Sequence, residues 1–245
     1  FGTVSLVPGG RRVSDGGTLP EGASVVVEID PTGARRVVGP DAARAGVVVA
    51  DLATTLASPL GALVAALESD DSLPADDPFG QVARALSDLD LVIAIPAGVQ
   101  LEQPIVVRWS VGAAGTVSVG RTFVILGDGA SARILEEHLP DTPDVDPATS
   151  QRAWWDTVEV TLGDGASLEV AALQDFDPDV IAVVNRDATL GEDAHLIVVA
   201  LGENSDLRVG FGSSGQAHWK PCAYHNPILV DLDGQGWKPN GDTLG

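Results

Sequence analysis

The sequence predicts a mainly β protein, a parallel β-helix that follows a small helical N-terminal segment. The phrase Leu-Gly-Asp-Gly-Ala-Ser occurs at residues 126–131 and again at 162–167, with related turns at 19–24 and 190–195. Short β-type runs flank the repeated turns, and helical periodicity is confined to the first third of the chain. A strand–turn–strand unit with one apolar face cannot stand alone, so its reuse predicts stacked coils. An antiparallel meander with the same turns remains the alternative.

The first domain is predicted at residues 1–90, where strands give way to helices. Asp51 is expected to cap a helix, and the apolar spacing of three and four from Phe79 predicts an amphipathic helix. In order, we predict strands at 25–29 and 47–49, helices at 52–56 and 60–67, an acidic loop at 68–78 and a helix at 79–89.

The second domain, the β-helix core, is predicted at residues 91–210. Its strands follow one another with almost no helix between them, which is typical of an all-β protein. We expect a mobile insertion at 139–155, anchored by Trp154 and Trp155. The predicted strands are 91–95, 104–109, 121–126, 133–138, 157–162, 168–173, 181–184 and 195–200.

Charge and cysteine content exclude several classes of function. The 245 residues carry 35 acidic and 14 basic side chains, a net charge of −21, which would repel the phosphates of nucleic acid and of an anionic membrane. The single cysteine excludes an internal disulfide and predicts a reducing, cytoplasmic location. Neither a membrane span nor a signal peptide is recognisable. Because the chain lacks Met and opens at Phe1, we expect a fragment or a processed product.

An ordered set of segments over roughly residues 45–210 resembles the SufB/SufD family of iron–sulfur cluster assembly scaffolds. The resemblance begins with the helix at 77–86 and the run from Leu91 to Ile105, where a strand is followed by Ile-Pro-Ala-Gly-Val-Gln-Leu. It continues through residues 121–138 and 162–174 and ends at 201–209. The chain is more similar to SufD than to SufB, because it lacks the SufB-type run of cysteines.

The resemblance implies a right-handed β-helix and a non-catalytic role in the SufBCD complex. It implies a SufB-like partner and docking of a SufC-type ATPase, while the iron–sulfur cluster is handled by the complex. No cofactor, catalytic residue or metal ligand is therefore assigned to this chain alone. The absence of a P-loop indicates that the chain is not the ATPase itself.

The third segment, residues 211–245, departs from the family. Both lysines, the only cysteine and the only tyrosine lie there, whereas the preceding residues use arginine alone for positive charge. We expect a truncated or unrelated tail in place of the family's further coils and ATPase-docking region.

Three groups of residues could bind metal or carry chemistry. His218, Cys222 and His225 have a spacing that a thiophilic metal can use, but no fourth ligand is evident. Residues 231–242 resemble a calcium loop, with departures that favour an ordinary Asp/Gly turn.

Glu136, Glu137 and His138 could act as acid/base or metal residues at a strand end. Alternation places Glu136 and His138 on one face of the strand and Glu137 on the other. The resemblance favours surface or ladder positions for all three, and a ladder position for Gln174.

Two other functions compete with the scaffold. A carbohydrate-active β-helix enzyme would display exposed aromatic residues on its strands, which this sequence lacks. A calcium-binding repeat adhesion module would depend on the loop at residues 231–242.

Overall fold

Two β-sheets form the body of the part of the chain that the structure, a computed structural model, describes. The first sheet contains six strands and the second contains seven. None of the described helices is long and apolar enough to cross a membrane. The described residues are 5–6, 12–58, 60–61, 65, 78–87, 89–112, 115–140, 152–177 and 179–202.

The elements are numbered in chain order. They are β1 (Ser5–Leu6), β2 (Val13–Asp15), β3 (Val25–Asp30), β4 (Gly33–Val38), α1 (Pro40–Arg44), β5 (Val48–Asp51), α2 (Leu52–Leu56), α3 (Pro78–Leu86), β6 (Leu89–Ile95), β7 (Ile105–Trp109), β8 (Thr116–Leu126), β9 (Ser131–His138), β10 (Arg152–Leu162), β11 (Ser167–Gln174), β12 (Val180–Leu190) and β13 (His195–Gly202). The first sheet has the order β12-β10-β8-β6-β5, with β1 beside β8, and the second has the order β13-β11-β9-β7-β3-β4-β2.

From β6 onward, successive strands alternate between the two sheets. From β8 onward, each strand pairs in parallel with the strand two before it, so that Leu126 lies beside Leu162 and Leu162 beside Leu190. The repeated phrase therefore recurs in register, one turn against the next. Antiparallel pairing among the described strands is limited to β3 with β4 and β5 with β6. The prediction of a mainly β protein with parallel sheets is confirmed, and the alternative of an antiparallel meander is wrong.

The core lies between the inner faces of the two sheets. Alternate side chains of each strand point into it, among them Ile93 and Val160 from the first sheet and Val107 and Leu168 from the second. Short aliphatic residues fill most of this space, as expected for a chain with 4% aromatic residues. Burial of this continuous apolar layer is the main driving force that holds the sheets together.

The repeated turns explain why their glycines and aspartates recur. Gly129 and Gly165 adopt φ of +62° and +64°, which other residues rarely adopt. Asp128 Oδ1 accepts the Asp164 N–H at 3.1 Å, and Asp164 Oδ1 accepts the Glu192 N–H at 2.9 Å. Each turn is thus hydrogen-bonded to the next. Within each repeated turn the alanine N–H donates to the carbonyl three residues before it, as Ala130 does to Gly127. The related turn at 19–24 has the same bond, from Ala23 N to the Pro20 carbonyl at 3.2 Å.

Helix α2 covers part of the outer face of the first sheet. Asp51 caps α2 as predicted, accepting the Thr54 N–H at 2.9 Å, and Leu52 packs on Val92 and Phe123. The helix α3 ends at Leu86 and not at residue 89, because Leu89 is the first residue of β6 and is buried. Most of the predicted helix at 60–67 and loop at 68–78 lies outside the described residues.

The short strands β1 and β2 and the hairpin strand β4 were not anticipated. The hairpin strand β4 carries two consecutive arginines, which obscure its β character in the sequence. The expected mobile insertion at 139–155 is corrected at its C-terminal end, where Arg152, Trp154 and Trp155 belong to β10. Trp154 is 2% exposed and belongs to the core. The register with β8 extends to Trp154 and Trp155, so strand pairing orders both residues.

Candidate functional site

A group of polar side chains lies between the two sheets, where apolar side chains would be expected. Five residues from both sheets form this interior polar cluster: Thr122 on β8, Glu136 and His138 on β9, Asp156 on β10 and Arg186 on β12. Glu136 and His138 are two and four residues after the core residue Ile134 on β9. Asp156 is two residues before the core residue Val158 on β10. The period of two therefore directs them inward.

Glu136 and Arg186 form an ion pair that spans the core. Arg186 Nη1 donates to Glu136 Oε1 at 3.1 Å, and Nη2 donates to the other carboxylate oxygen. Their side chains are 10% and 22% exposed. Burial alone would lower the pKa of Arg186, but the Glu136 carboxylate outweighs it and raises that pKa. The pair joins β9 of one sheet to β12 of the other.

Asp156 has no cation of its own in the described part of the molecule. It is 3% exposed, and its one hydrogen-bond partner there is Thr122 Oγ1, at 3.3 and 3.4 Å from its two oxygens. Burial and then the nearby Glu136 charge raise the pKa of Asp156 to about 7. The absence of a side chain at Gly120 makes room, since a Cβ there would stand 2.9 Å from Asp156 Oδ1 and 3.1 Å from Trp109.

The fifth member of the cluster, His138, sits among aromatic rings. Its ring centroid is 4.6 Å from that of Trp154 and 5.0 Å from that of Phe176. Neither imidazole nitrogen has a hydrogen-bond partner within the described ranges. Burial lowers the pKa of His138 to about 4, against the opposing pull of Glu136, so the imidazole is neutral at physiological pH.

The arrangement can therefore hold a proton and divide one cation between two carboxyl groups. Two acids, Glu136 and Asp156, face the single guanidinium of Arg186, and a neutral imidazole lies beside them. No group of three His, Cys, Asp or Glu side chains that could hold a metal ion occurs among the residues described.

The predicted residues fall in different places. Glu136 and His138 do share a face, as alternation predicted, but that face is the core, and the expectation of surface positions is wrong for both. Glu137 points outward and accepts a hydrogen bond from Arg108 Nε at 2.6 Å. Gln174 lies in register with His138 and Gly202, so no glutamine ladder forms there. The possible metal residues His218, Cys222 and His225 and the loop at 231–242 lie outside the described residues.

Sequence reasoning missed three members of the cluster, Thr122, Asp156 and Arg186. Asp156 was assigned to the boundary of a loop, and Arg186 was placed beyond a strand predicted to end at residue 184. A signal was present, because charged residues interrupt the inward positions of otherwise aliphatic strands at 156–162 and 180–190. Buried charges of this kind require partners, and the pairing across the core supplies one.

A second buried ion pair lies at one end of the core strands. Arg152, whose side chain is 2% exposed, donates to Asp179 Oδ1 and Oδ2 at 2.7 and 2.8 Å and to Asp177 Oδ2 at 2.8 Å. The hydrogen bonds that Arg152 donates to the Asp179 carboxylate are the main cause of the raised pKa of Arg152. This clamp ties the start of β10 to the segment that leads into β12.

Comparison with known proteins gives one family. Residues 109–210, which contain all five residues of the interior polar cluster, match the family described as SUF system FeS cluster assembly, SufBD core domain. No curated protein matches the chain.

Proposed function

Since the core of this chain at residues 109–210 belongs to the SufB/SufD family of iron–sulfur cluster assembly proteins, we propose that the chain is a SufD-like, non-catalytic scaffold subunit. The observation that carries the proposal is the coincidence of the family match with the paired sheets: the six strands from β8 to β13 all lie within residues 109–210. In this role the iron–sulfur cluster is cargo of the complex and not a resident group of this chain.

The alternation of strands between two parallel sheets supports the β-helix expected of this family. One coil of the proposed helix comprises a strand of each sheet and the turn between them, as in β8, the turn at 127–130 and β9. The right-handed sense and the domain divisions at residues 90 and 210 belong to the same proposal. The low cysteine content supports a SufD-like subunit and a reducing, cytoplasmic setting.

The last strands of the two sheets support a partner of the same architecture. Within the described residues β12 pairs only with β10, and β13 pairs only with β11. Ile197 and Val199 on β13 are 54% and 47% exposed, an unusual environment for β-branched residues in a strand. An exposed strand edge with apolar side chains favours pairing with another sheet. We propose that a SufB-like subunit pairs at this edge.

Co-purification tests this proposal. The full chain is co-expressed with a tagged SufB-like subunit, and a stable complex is expected. Ile197→Lys should strongly reduce recovery of the complex, because it places a charge in the proposed interface. The matched control is Leu56→Lys, which alters a 41% exposed leucine on α2, and it should leave recovery unchanged. Failure of the unaltered chain to bind, or equal recovery with both variants, would contradict the proposal.

A second experiment concerns the ATPase. The family's docking region is not recognisable in residues 211–245, and we propose that these residues do not dock a SufC-type ATPase. A pull-down of purified ATPase by the tagged chain should recover none above background. Robust capture would overturn this interpretation of residues 211–245, and it would leave the proposed SufB-like pairing standing.

A further inference from the structure

The interior polar cluster contains two carboxyl groups and one cation. Glu136 takes up both terminal nitrogens of Arg186, while Asp156 is left with the Thr122 hydroxyl. Two ionised carboxylates with one guanidinium would leave a net negative charge in the core, which is costly. A neutral Asp156 removes that charge, so the observed pairing belongs to the state in which Asp156 holds a proton.

Arg186 can reach either carboxyl group. Asp156 pairs in register with Val184, and Arg186 is two residues further along β12. The two side chains are therefore diagonal neighbours on the same inward face of adjacent strands, a separation that a long side chain spans. Glu136 approaches the same guanidinium from the opposite sheet. The arginine thus lies between a partner across the core and an alternative partner within its own sheet.

The charged and polar groups around Asp156 shift its pKa in opposite directions. Glu136 on β9 and, more weakly, Asp90 on β6 oppose its ionisation, whereas Arg186 on β12 and the Thr122 hydroxyl on β8 favour it. His138 on β9 is uncharged at neutral pH because burial disfavours its cation. Arg186 is therefore the cation available to an ionised Asp156 among the charged groups found around it.

We propose that Arg186 is a two-position latch: it pairs with Glu136 across the core while Asp156 is protonated, and it shifts toward Asp156 within its own sheet when Asp156 ionises. The shift breaks the ion pair between the two sheets. Since β12 is the outermost described strand of its sheet, ionisation of Asp156 loosens that edge. This latch is a property of the core, and it stands independently of the partner proposed above.

Carboxyl-carbon NMR and amide hydrogen exchange of the full chain test the latch. Asp156 should titrate near neutral pH. The exchange protection of the β12 amides, corrected for the intrinsic effect of pH, should fall by on the order of tenfold from about pH 5 to about pH 8. Asp156→Asn holds the carboxyl position neutral, so its β12 protection should not change over this range.

Glu136→Gln provides the reverse test. With the partner across the core neutral, Arg186 should pair with Asp156, and the Asp156 carboxyl should titrate at lower pH than in the unaltered chain. If Glu136→Gln does not fold, the comparison of β12 exchange protection between Asp156→Asn and the unaltered chain still tests the latch. An Asp156 that is ionised at about pH 5 overturns the latch, as does an equal pH dependence of β12 protection in the unaltered chain and in Asp156→Asn.

Discussion

At the scale of single residues, the repeated turn is specified by glycines with two different tasks. Gly165 provides a positive φ and has open space around it, whereas Gly163 lies directly over the backbone and carboxylate of Asp128 in the preceding turn. The last copy supports this division, because Asp193 replaces the second glycine and adopts φ of 54°, while Gly191 retains the first. Close approach between turns is therefore more demanding than the left-handed conformation.

A matched pair of variants should separate these tasks. Gly163→Ala introduces a methyl group against Asp128 and should lower the free energy of unfolding by about 1–3 kcal/mol. Gly165→Asn keeps a residue that tolerates positive φ and should cost less than about 1 kcal/mol. Urea denaturation of both variants measures the difference. An equal loss of stability in the two would show that turn stacking does not depend on the missing Cβ.

At the scale of elements, the clamp around Arg152 anchors the start of β10. Arg152 is the first residue of β10, and its side chain is held by the carboxylates of Asp177 and Asp179, which precede β12. Bidentate contacts of this kind fix geometry as well as charge. The clamp therefore sets where β10 joins the ladder and where β12 enters it.

Removal of this cation should be strongly destabilising. Arg152→Met removes the guanidinium from the buried carboxylate of Asp179 and the partly buried carboxylate of Asp177, and we expect a loss of about 3–5 kcal/mol in the free energy of unfolding. Arg44→Met is the control, since Arg44 is 77% exposed and its pair with Asp41 should contribute little. Chemical denaturation monitored by tryptophan fluorescence gives both values. A loss no larger than that of the control would mean that the clamp is dispensable.

At the scale of the whole molecule, two buried groups give opposing contributions to the pH dependence of stability. The pKa of His138 is lowered from 6.5 to about 4, so its contribution is present above pH 6.5 and is lost as the pH falls toward 4. The pKa of Asp156 is raised from 3.8 to about 7, so its contribution is present below pH 3.8 and is lost as the pH rises toward 7. Between about pH 4 and 6.5 the two effects oppose each other.

Single variants should reveal each contribution. In His138→Phe, stability should fall with rising pH between about 4 and 7, because Asp156 then acts alone. In Asp156→Asn, stability should fall with decreasing pH between 6.5 and about 4, because His138 then acts alone. The difference in unfolding free energy between each variant and the unaltered chain should change by up to about 1.4 kcal/mol per pH unit where the replaced group would titrate. Urea denaturation across this range provides the data, and curves that run parallel to that of the unaltered chain would contradict both assignments.

Much of the fold could be predicted because strands and turns are encoded locally. The apolar run from Leu91 to Ile95 and the Gly-Asp-Gly turns are visible in short windows, and the structure places both as expected. The predicted end of α3 at residue 89 was wrong because a buried Leu89 satisfies helical and strand periodicity alike. The strand β4 was missed because Arg35 and Arg36 interact with acidic side chains of neighbouring elements, which no local window contains.

The candidate site was predictable only in part. Alternation correctly placed Glu136 and His138 on one face, but the choice of the inner face depends on which side of β9 meets the opposite sheet. Arg186 lies 50 residues from Glu136 in the chain, and their pairing arises only because β9 and β12 belong to facing sheets.

Most of the core strands, the repeated turns and the resemblance of residues 109–210 to the SufB/SufD family could be inferred from the sequence, because each depends on neighbouring residues and on an ordered set of short motifs. Which polar residues are buried together follows from the tertiary structure alone. Register and the packing of one sheet on the other bring Glu136, Asp156 and Arg186 into a space with one cation for two acids, and the charge state of that space follows from burial.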